Sequence, residues 1–285
     1  MTLNGPDHTG PAGSAGTGRG GGERRCWSDA ARLAFGTLTV LPAGVPSRVD
    51  RVVGGRAMVL APVVGVVIGG VAAGVIALAQ LVKPEADLLA AVVGVLVVAG
   101  LSGGLHLDGL ADFADALGSR RDRETMLRIM KQSDIGPFGV VAIVGVLLLD
   151  VAALTTCLQS GFGWQAILLA TTASRLTLPW SCRTSVPPAR PDGLGTFVAG
   201  TVPPTTAALA TTVVLAAALA LTWLSPAPSP TRLAGSTAAV LLAVATSLAA
   251  SRRAKSALGG TTGDVLGATI ELALPLALLT LALTA

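Results

Sequence analysis

Three aspartates, Asp108, Asp112 and Asp115, stand at i, i+4 and i+7. At ~100° per residue they share a ~60° arc of one helix face, over ~10 Å. Like charges four residues apart destabilise a helix unless water or a cation neutralises them. The preceding residues favour the cation. Leu88 to Leu105 carries no charge, so the acidic face begins where a membrane-length apolar run ends. His106, two residues before Asp108, is a candidate base or ligand. Clustered carboxylates with few histidines and no CxxC suit a hard cation, Mg²⁺ or Mn²⁺. Mg²⁺ is usually held by a few carboxylates plus phosphate oxygens of a substrate. The chemistry this suggests is phosphoryl or pyrophosphate transfer, where catalysis is mainly positioning and charge neutralisation.

The elements that must position this face are membrane helices. Of 285 residues 52% are hydrophobic and 13% charged, against about 25% charged in a soluble domain. The mean hydropathy is +0.71. The expected fold is an all-α, polytopic bundle in the lipid bilayer, with about seven transmembrane helices. The spans read as Ala57–Val82, Leu88–Leu105, Phe138–Leu158, Trp164–Trp180, Thr205–Leu224, Leu233–Ala250 and Val265–Leu283. Gly65/Gly69 and Gly70/Gly74 form small-xxx-small pairs suited to close helix packing. Residues 1–28, rich in Gly, Pro, Ser and Thr, are expected to be a disordered tail. Residues 29–285 form a single transmembrane domain. Leu33–Val45, interrupted by Pro42 and Pro46, reads as an interfacial or re-entrant segment rather than a signal-peptide core.

Lys and Arg outside the spans number seven before the first, then one, five, none, two, one and three in the successive loops. The alternation places the N-terminus in the cytoplasm and the protein in the cell (inner) membrane. The acidic face and the loops at 181–204 and 251–264 share that side. The net charge of +4 therefore reports topology, and with 3% aromatics and no Tyr it is no sign of nucleic-acid binding. Cys26, Cys157 and Cys182 lack disulfide or zinc spacing.

Ionisable groups inside spans are costly and so are functional candidates. Glu271 lies seven residues after Asp264 on the same face, ~10 Å deeper. Arg175 is placed toward the cytoplasmic rim, and Asp150 nearer the outside, as a helix–helix hydrogen bond or protonated carboxyl. Lys131, Ser133, Arg175 and Arg190 are candidates for binding phosphate. Asp264 and Glu271 join Asp108, Asp112 and Asp115 on the same side. Gly259-Gly260-Thr261-Thr262-Gly263 could present N–H groups to phosphate.

Five motifs in order then carry a family resemblance. They are Ala34–Pro42 with Phe35, Thr37 and Pro42, then Gly104-Leu-His-Leu-Asp-Gly-Leu-Ala-Asp-Phe-Ala-Asp115. Ile129-Met-Lys-Gln-Ser-Asp-Ile-Gly136 follows, then Ala189-Arg-Pro-Asp-Gly-Leu-Gly195 and Gly259-Gly-Thr-Thr-Gly-Asp-Val-Leu-Gly-Ala-Thr-Ile-Glu271. Together they resemble the cobalamin synthase family, adenosylcobinamide-GDP ribazoletransferases, over nearly all the chain after the tail. Gln132 replaces an expected Asp, and Asp134 a basic or polar residue. The resemblance implies a Mg²⁺-dependent membrane enzyme joining adenosylcobinamide-GDP to α-ribazole or its 5′-phosphate. The products are adenosylcobalamin, or its 5′-phosphate, and GMP. In that reading Asp108, Asp112 and Asp115 hold Mg²⁺, Asp264 and Glu271 complete the metal site or position the hydroxyl, and Asp115 and His106 are candidate bases. A homo-oligomer is compatible with such a bundle. Two other readings compete. One is another membrane transferase: the D-G-x-x-A-R start of CDP-alcohol phosphotransferases is absent, and the tandem aspartate motif of prenyltransferases is matched only loosely, by Asp108 and Asp112. A cation or metabolite transporter would need carboxylates along a path through the midplane.

Overall fold

Long apolar runs leave the backbone no partner but itself, and the chain answers with helices throughout. The computed structural model describes residues 18–285. Twelve helices follow in order: α1 (Gly18–Leu38), α2 (Arg51–Val82), α3 (Asp87–Leu101), α4 (Leu105–Gly118), α5 (Arg123–Ile129), α6 (Pro137–Gln159), α7 (Gly163–Arg175), α8 (Thr177–Ser181), α9 (Leu194–Val198), α10 (Pro204–Trp223), α11 (Pro230–Leu258) and α12 (Gly263–Thr284). Five of them, α2, α6, α10, α11 and α12, are long and apolar enough to cross a membrane alone. The other two expected spans are broken helices. One is α3, bent 86° from α4 at Gly103 and Gly104, both with positive φ. The other is α7 followed by α8. The all-α membrane bundle expected from composition is thus what the chain forms.

α12 is the central helix. Most of its length is buried, packed against α4, α6, α7 and α11. The α2–α7 contact is built on glycine. A Cβ on Gly65 would come 2.5 Å from the Thr171 carbonyl, and one on Gly69 2.9 Å from the Leu168 Cα. The neighbouring pair behaves differently. Gly70 and Gly74 face open space and pack against nothing, so only the first small-xxx-small pair is a helix contact.

The N-terminal expectation also changes. Residues 1–17 of the expected tail lie outside the described residues, but 18–28 are helical and continue into α1. Ala30, Ala34 and Leu38 recur at helical spacing and are buried, with α1 against α2. Trp27 holds the earlier turn, lying 4.8 Å from the Arg56 guanidinium. The helix therefore starts well before its apolar stripe.

Candidate active site

α4 and α12 meet through two glycines. A Cβ on Gly109 would approach the Asp264 Cα at 2.9 Å, and one on Gly267 would approach the His106 Cα at 3.1 Å. The order of these contacts makes the two helices antiparallel. Asp264 opens α12, so α4 beyond Gly109 projects past the end of α12, outside the membrane-spanning segments. Asp112 and Asp115 lie on that projecting half.

Two loops are stitched together beside it. The Ala189 N–H donates to the Thr261 carbonyl at 2.9 Å, and the Thr261 N–H donates to the Pro187 carbonyl at 2.9 Å. Gly260 sits in this seam, where a Cβ would lie 2.7 Å from the Pro188 carbonyl carbon. Arg123 clamps the same place. Its Nε donates to the Leu258 carbonyl and its Nη2 to the Ala189 carbonyl, each at 2.7 Å. A cation there also suits the carbonyl end of α11. Arg123 was not among the sequence candidates. Nothing in its spacing announces a partner 66 or 135 residues away.

The seam places Arg190 next to Asp264, with Nη2 3.5 Å from the carboxylate. Arg190 Nε is also 3.5 Å from Asp192, and Lys131 Nζ reaches the same Asp192 at 2.8 Å. Asp192 thus joins two of the predicted phosphate binders. The hydrogen bond from Lys131 holds the Asp192 carboxyl below the usual carboxylate range. In the sequence Asp192 is visible only as part of the Ala189–Gly195 motif, because it stands alone between Pro191 and Gly193. Arg190 Nη1 is buried and has no partner among the described residues. Ser133, Gln132 and Asp134 are exposed on the turn before α6.

The three aspartates of α4 divide. Asp115 accepts from the Gly136 N–H at 2.7 Å and the Gly139 N–H at 3.0 Å. It therefore caps the start of α6, where helix N–H groups lack partners. Asp108 and Asp264 line one cavity of about 170 Å³, with His106 in its wall. Asp112 is crowded by Asp108, Asp264 and Asp115. Burial first, and then this crowding, pushes its carboxyl up to about 7. Among the described residues no three His, Cys, Asp or Glu side chains gather closely enough to enclose a metal. The carboxylates Asp108, Asp112 and Asp264 nevertheless repel one another at the rim, and an arrangement of that kind gains from a divalent cation. Their donor chemistry fits Mg²⁺ if water and substrate oxygens complete the shell.

A second polar group lies deeper. Arg175, Asp150 and Gln165 are at most 1% exposed, and His106 and Glu271 are 4% exposed. Arg175 sits in the interior within electrostatic reach of both Glu271 and Asp150, not at the rim where its place in the sequence suggested. The reason is that α7 stops at Arg175 and turns into α8, so the crossing is sunk among α2, α11 and α12. His106 Nδ1 lies 3.8 Å from Glu271, too far for a hydrogen bond. Both nitrogens of His106, both oxygens of Asp150 and both amide atoms of Gln165 lack protein partners. Glu271 does not line the rim cavity. The structure therefore brings Asp108, Asp112, Asp264, Arg190 and Lys131 to one end of the bundle. It sets His106, Arg175 and Glu271 below them.

Residues 30–282 match the family model described as cobalamin-5-phosphate synthase. A protein of Frankia casuarinae named adenosylcobinamide-GDP ribazoletransferase is 43% identical over 262 residues, covering 89% of this chain and 94% of its own. Proteins of the same name from Nocardioides sp. and Corynebacterium efficiens are 38% and 34% identical, with 88% and 84% of this chain covered and 97% and 86% of theirs. No solved structure matches the chain. With a family model spanning nearly the whole described bundle, and relatives aligned along almost their full length, the chain belongs to the cobalamin-5-phosphate synthase family.

Proposed function

We propose that this chain joins adenosylcobinamide-GDP to α-ribazole or its 5′-phosphate, releasing GMP and giving adenosylcobalamin or its 5′-phosphate. The supporting observation is the pairing at one rim of three mutually crowding carboxylates with Arg190, whose Nη1 is buried and unpartnered. A pyrophosphate donor needs both kinds of group. Asp108, Asp112 and Asp264 would hold Mg²⁺, which when bound supplies charge neutralisation to phosphate oxygens. Arg190 and Lys131 would take the remaining phosphate charge, with Asp192 holding both in place. The ribazole hydroxyl oxygen then forms its bond to the phosphorus attached to cobinamide as the bond to GMP breaks in line, the hydroxyl proton passing to solvent or to the phosphate of the departing GMP. Asp115 supports this site by fixing the α4–α6 corner.

The same reading puts the site on the cytoplasmic face of the inner membrane. The Lys- and Arg-rich loops all lie at the end of the bundle where α2, α6, α10 and α12 begin. By the positive-inside rule that end is cytoplasmic.

The test is product formation by the purified protein in proteoliposomes. Adenosylcobinamide-GDP, α-ribazole and Mg²⁺ are supplied, and GMP and cobalamin are followed. Equal amounts of both products, lost with Asp112→Ala and with EDTA, are expected. Undiminished turnover by a folded Asp112→Ala protein would remove the carboxylate rim from the mechanism. A folded wild-type protein giving no product from this donor would overturn the reaction itself.

A further inference from the structure

A second cationic site lies at the start of α2, sharing no lining residue with the cavity of Asp108 and Asp264. Arg51 and Arg56 lie in an open cavity of about 400 Å³ lined also by Trp27, Val59, Gly200 to Pro203 and Thr206. Two positive charges share it with little to balance them. Arg51 donates to the carbonyls of Thr196 and Ala199 and has no carboxylate partner among the described residues. Among the described residues Arg56 has only Glu23, 3.9 Å away with its side chain 67% exposed, a contact of small energy. Arg56 Nη1 is buried and has no partner among the described residues. Trp27, against the Arg56 guanidinium, is the amphipathic ring typical of the membrane–water boundary.

The cavity does not end there. Val59 and Thr206 are shared with an apolar cleft of about 230 Å³ between α2 and α10. Val214 is shared in turn with a further cleft of about 240 Å³, floored by α7 at Leu168 and reaching Leu221. Thr206 to Leu221 is fifteen residues, or ~22 Å of helix axis. Half of a ~30 Å hydrocarbon core is ~15 Å. Three cavities that share lining residues therefore follow one another along α2 and α10, from a pair of arginines to beyond the middle of the bilayer.

From this geometry we infer a binding site for an anionic phospholipid, its phosphate between Arg51 and Arg56 and one acyl chain laid between α2 and α10. A free phosphate would satisfy the arginines and leave the clefts empty. A neutral lipid would fill the clefts and leave the positive charge unbalanced. Only a ligand with both parts uses both features.

The experiment uses the full chain, delipidated in detergent, and counts retained lipid by native mass spectrometry. The probes are phosphatidylglycerol, phosphatidylcholine of the same chains, glycerol 3-phosphate and inorganic phosphate. Phosphatidylglycerol should be retained about tenfold over phosphatidylcholine. Arg56→Gln should abolish that preference and Arg56→Lys should restore most of it. Val213→Trp places bulk in the cleft at a side chain already 60% exposed, so the fold should survive while both lipids are lost. Equal retention of the two lipids by wild type, or no effect of Arg56→Gln, overturns the inference. So does displacement of the lipid by millimolar glycerol 3-phosphate or phosphate, which would make this a small-anion site only.

Discussion

Asp112 carries the charge that its neighbours most oppose. Its folded carboxyl titrates near 7, against 3.8 ordinarily. A raised value means that the folded protein binds the proton more tightly than the unfolded one. Stability of the metal-free protein therefore falls as pH rises from about 4 through 7. Asp112→Asn should accordingly raise the melting temperature of the EDTA-treated protein at pH 8, by ~2–4 °C if solvent screening at this half-buried site leaves a cost of about 1 kcal/mol. At pH 4 the difference should vanish. A melting temperature unchanged by Asp112→Asn at pH 8 would show that the crowding is absent. Asp115 predicts the opposite sign. Asp115→Ala removes two hydrogen bonds from the start of α6 and should cost ~1–2 kcal/mol, with or without Mg²⁺. A loss seen only in the presence of Mg²⁺ would mark Asp115 as a metal ligand instead. The spacing of these aspartates was legible as one helix face. Their division between cap and rim was not, because the N–H groups that claim Asp115 lie 21 and 24 residues further on.

At the scale of helices, the site depends on how closely α4 approaches α12. Gly109 allows that approach, and a Cβ there would meet backbone rather than a side chain able to move aside. Gly109→Ala should cost ~1–3 kcal/mol of stability and lower turnover at least tenfold, by displacing Asp108 and Asp112 from Asp264. Gly70→Ala and Gly74→Ala, facing open space, should leave turnover within twofold. Melting curves and proteoliposome rates on these three variants separate close packing from a general intolerance of change in the bundle. Turnover by Gly109→Ala equal to that of Gly70→Ala would mean the α4–α12 distance does not set the site. Most of the spans were legible because lipid demands about twenty apolar residues. What composition hides is where a span breaks. The Gly103–Gly104 turn and the stop at Arg175 depend on local backbone and on neighbours, and those breaks move Arg175 and His106 inward.

The whole bundle is organised around a charge at its centre. Arg175 is fully buried, and Asp150 and Glu271 come from two other helices, α6 and α12. Residue counting along straight, untilted helices set Arg175 and Asp150 at depths about 10 Å apart. The folded arrangement brings them within electrostatic reach of each other, because α7 is short and lies inside the bundle. Such a group is a poor source of net stability, since desolvating each ion offsets the attraction between them. It is nevertheless costly to break one member at a time. Arg175→Met alone removes the cation within electrostatic reach of both buried carboxylates and should lower the melting temperature measurably. Adding Asp150→Asn and Glu271→Gln removes the stranded charges, so the triple variant should recover most of the lost melting temperature. If the group only ties helices together, the triple variant should also recover turnover. If its charges act on the rim above, through His106 beside the Asp108 cavity, stability returns and turnover does not. We expect the second outcome, because both His106 nitrogens and two Arg175 nitrogens are buried without partners among the described residues, and a native structure rarely leaves such groups unpaired without a role.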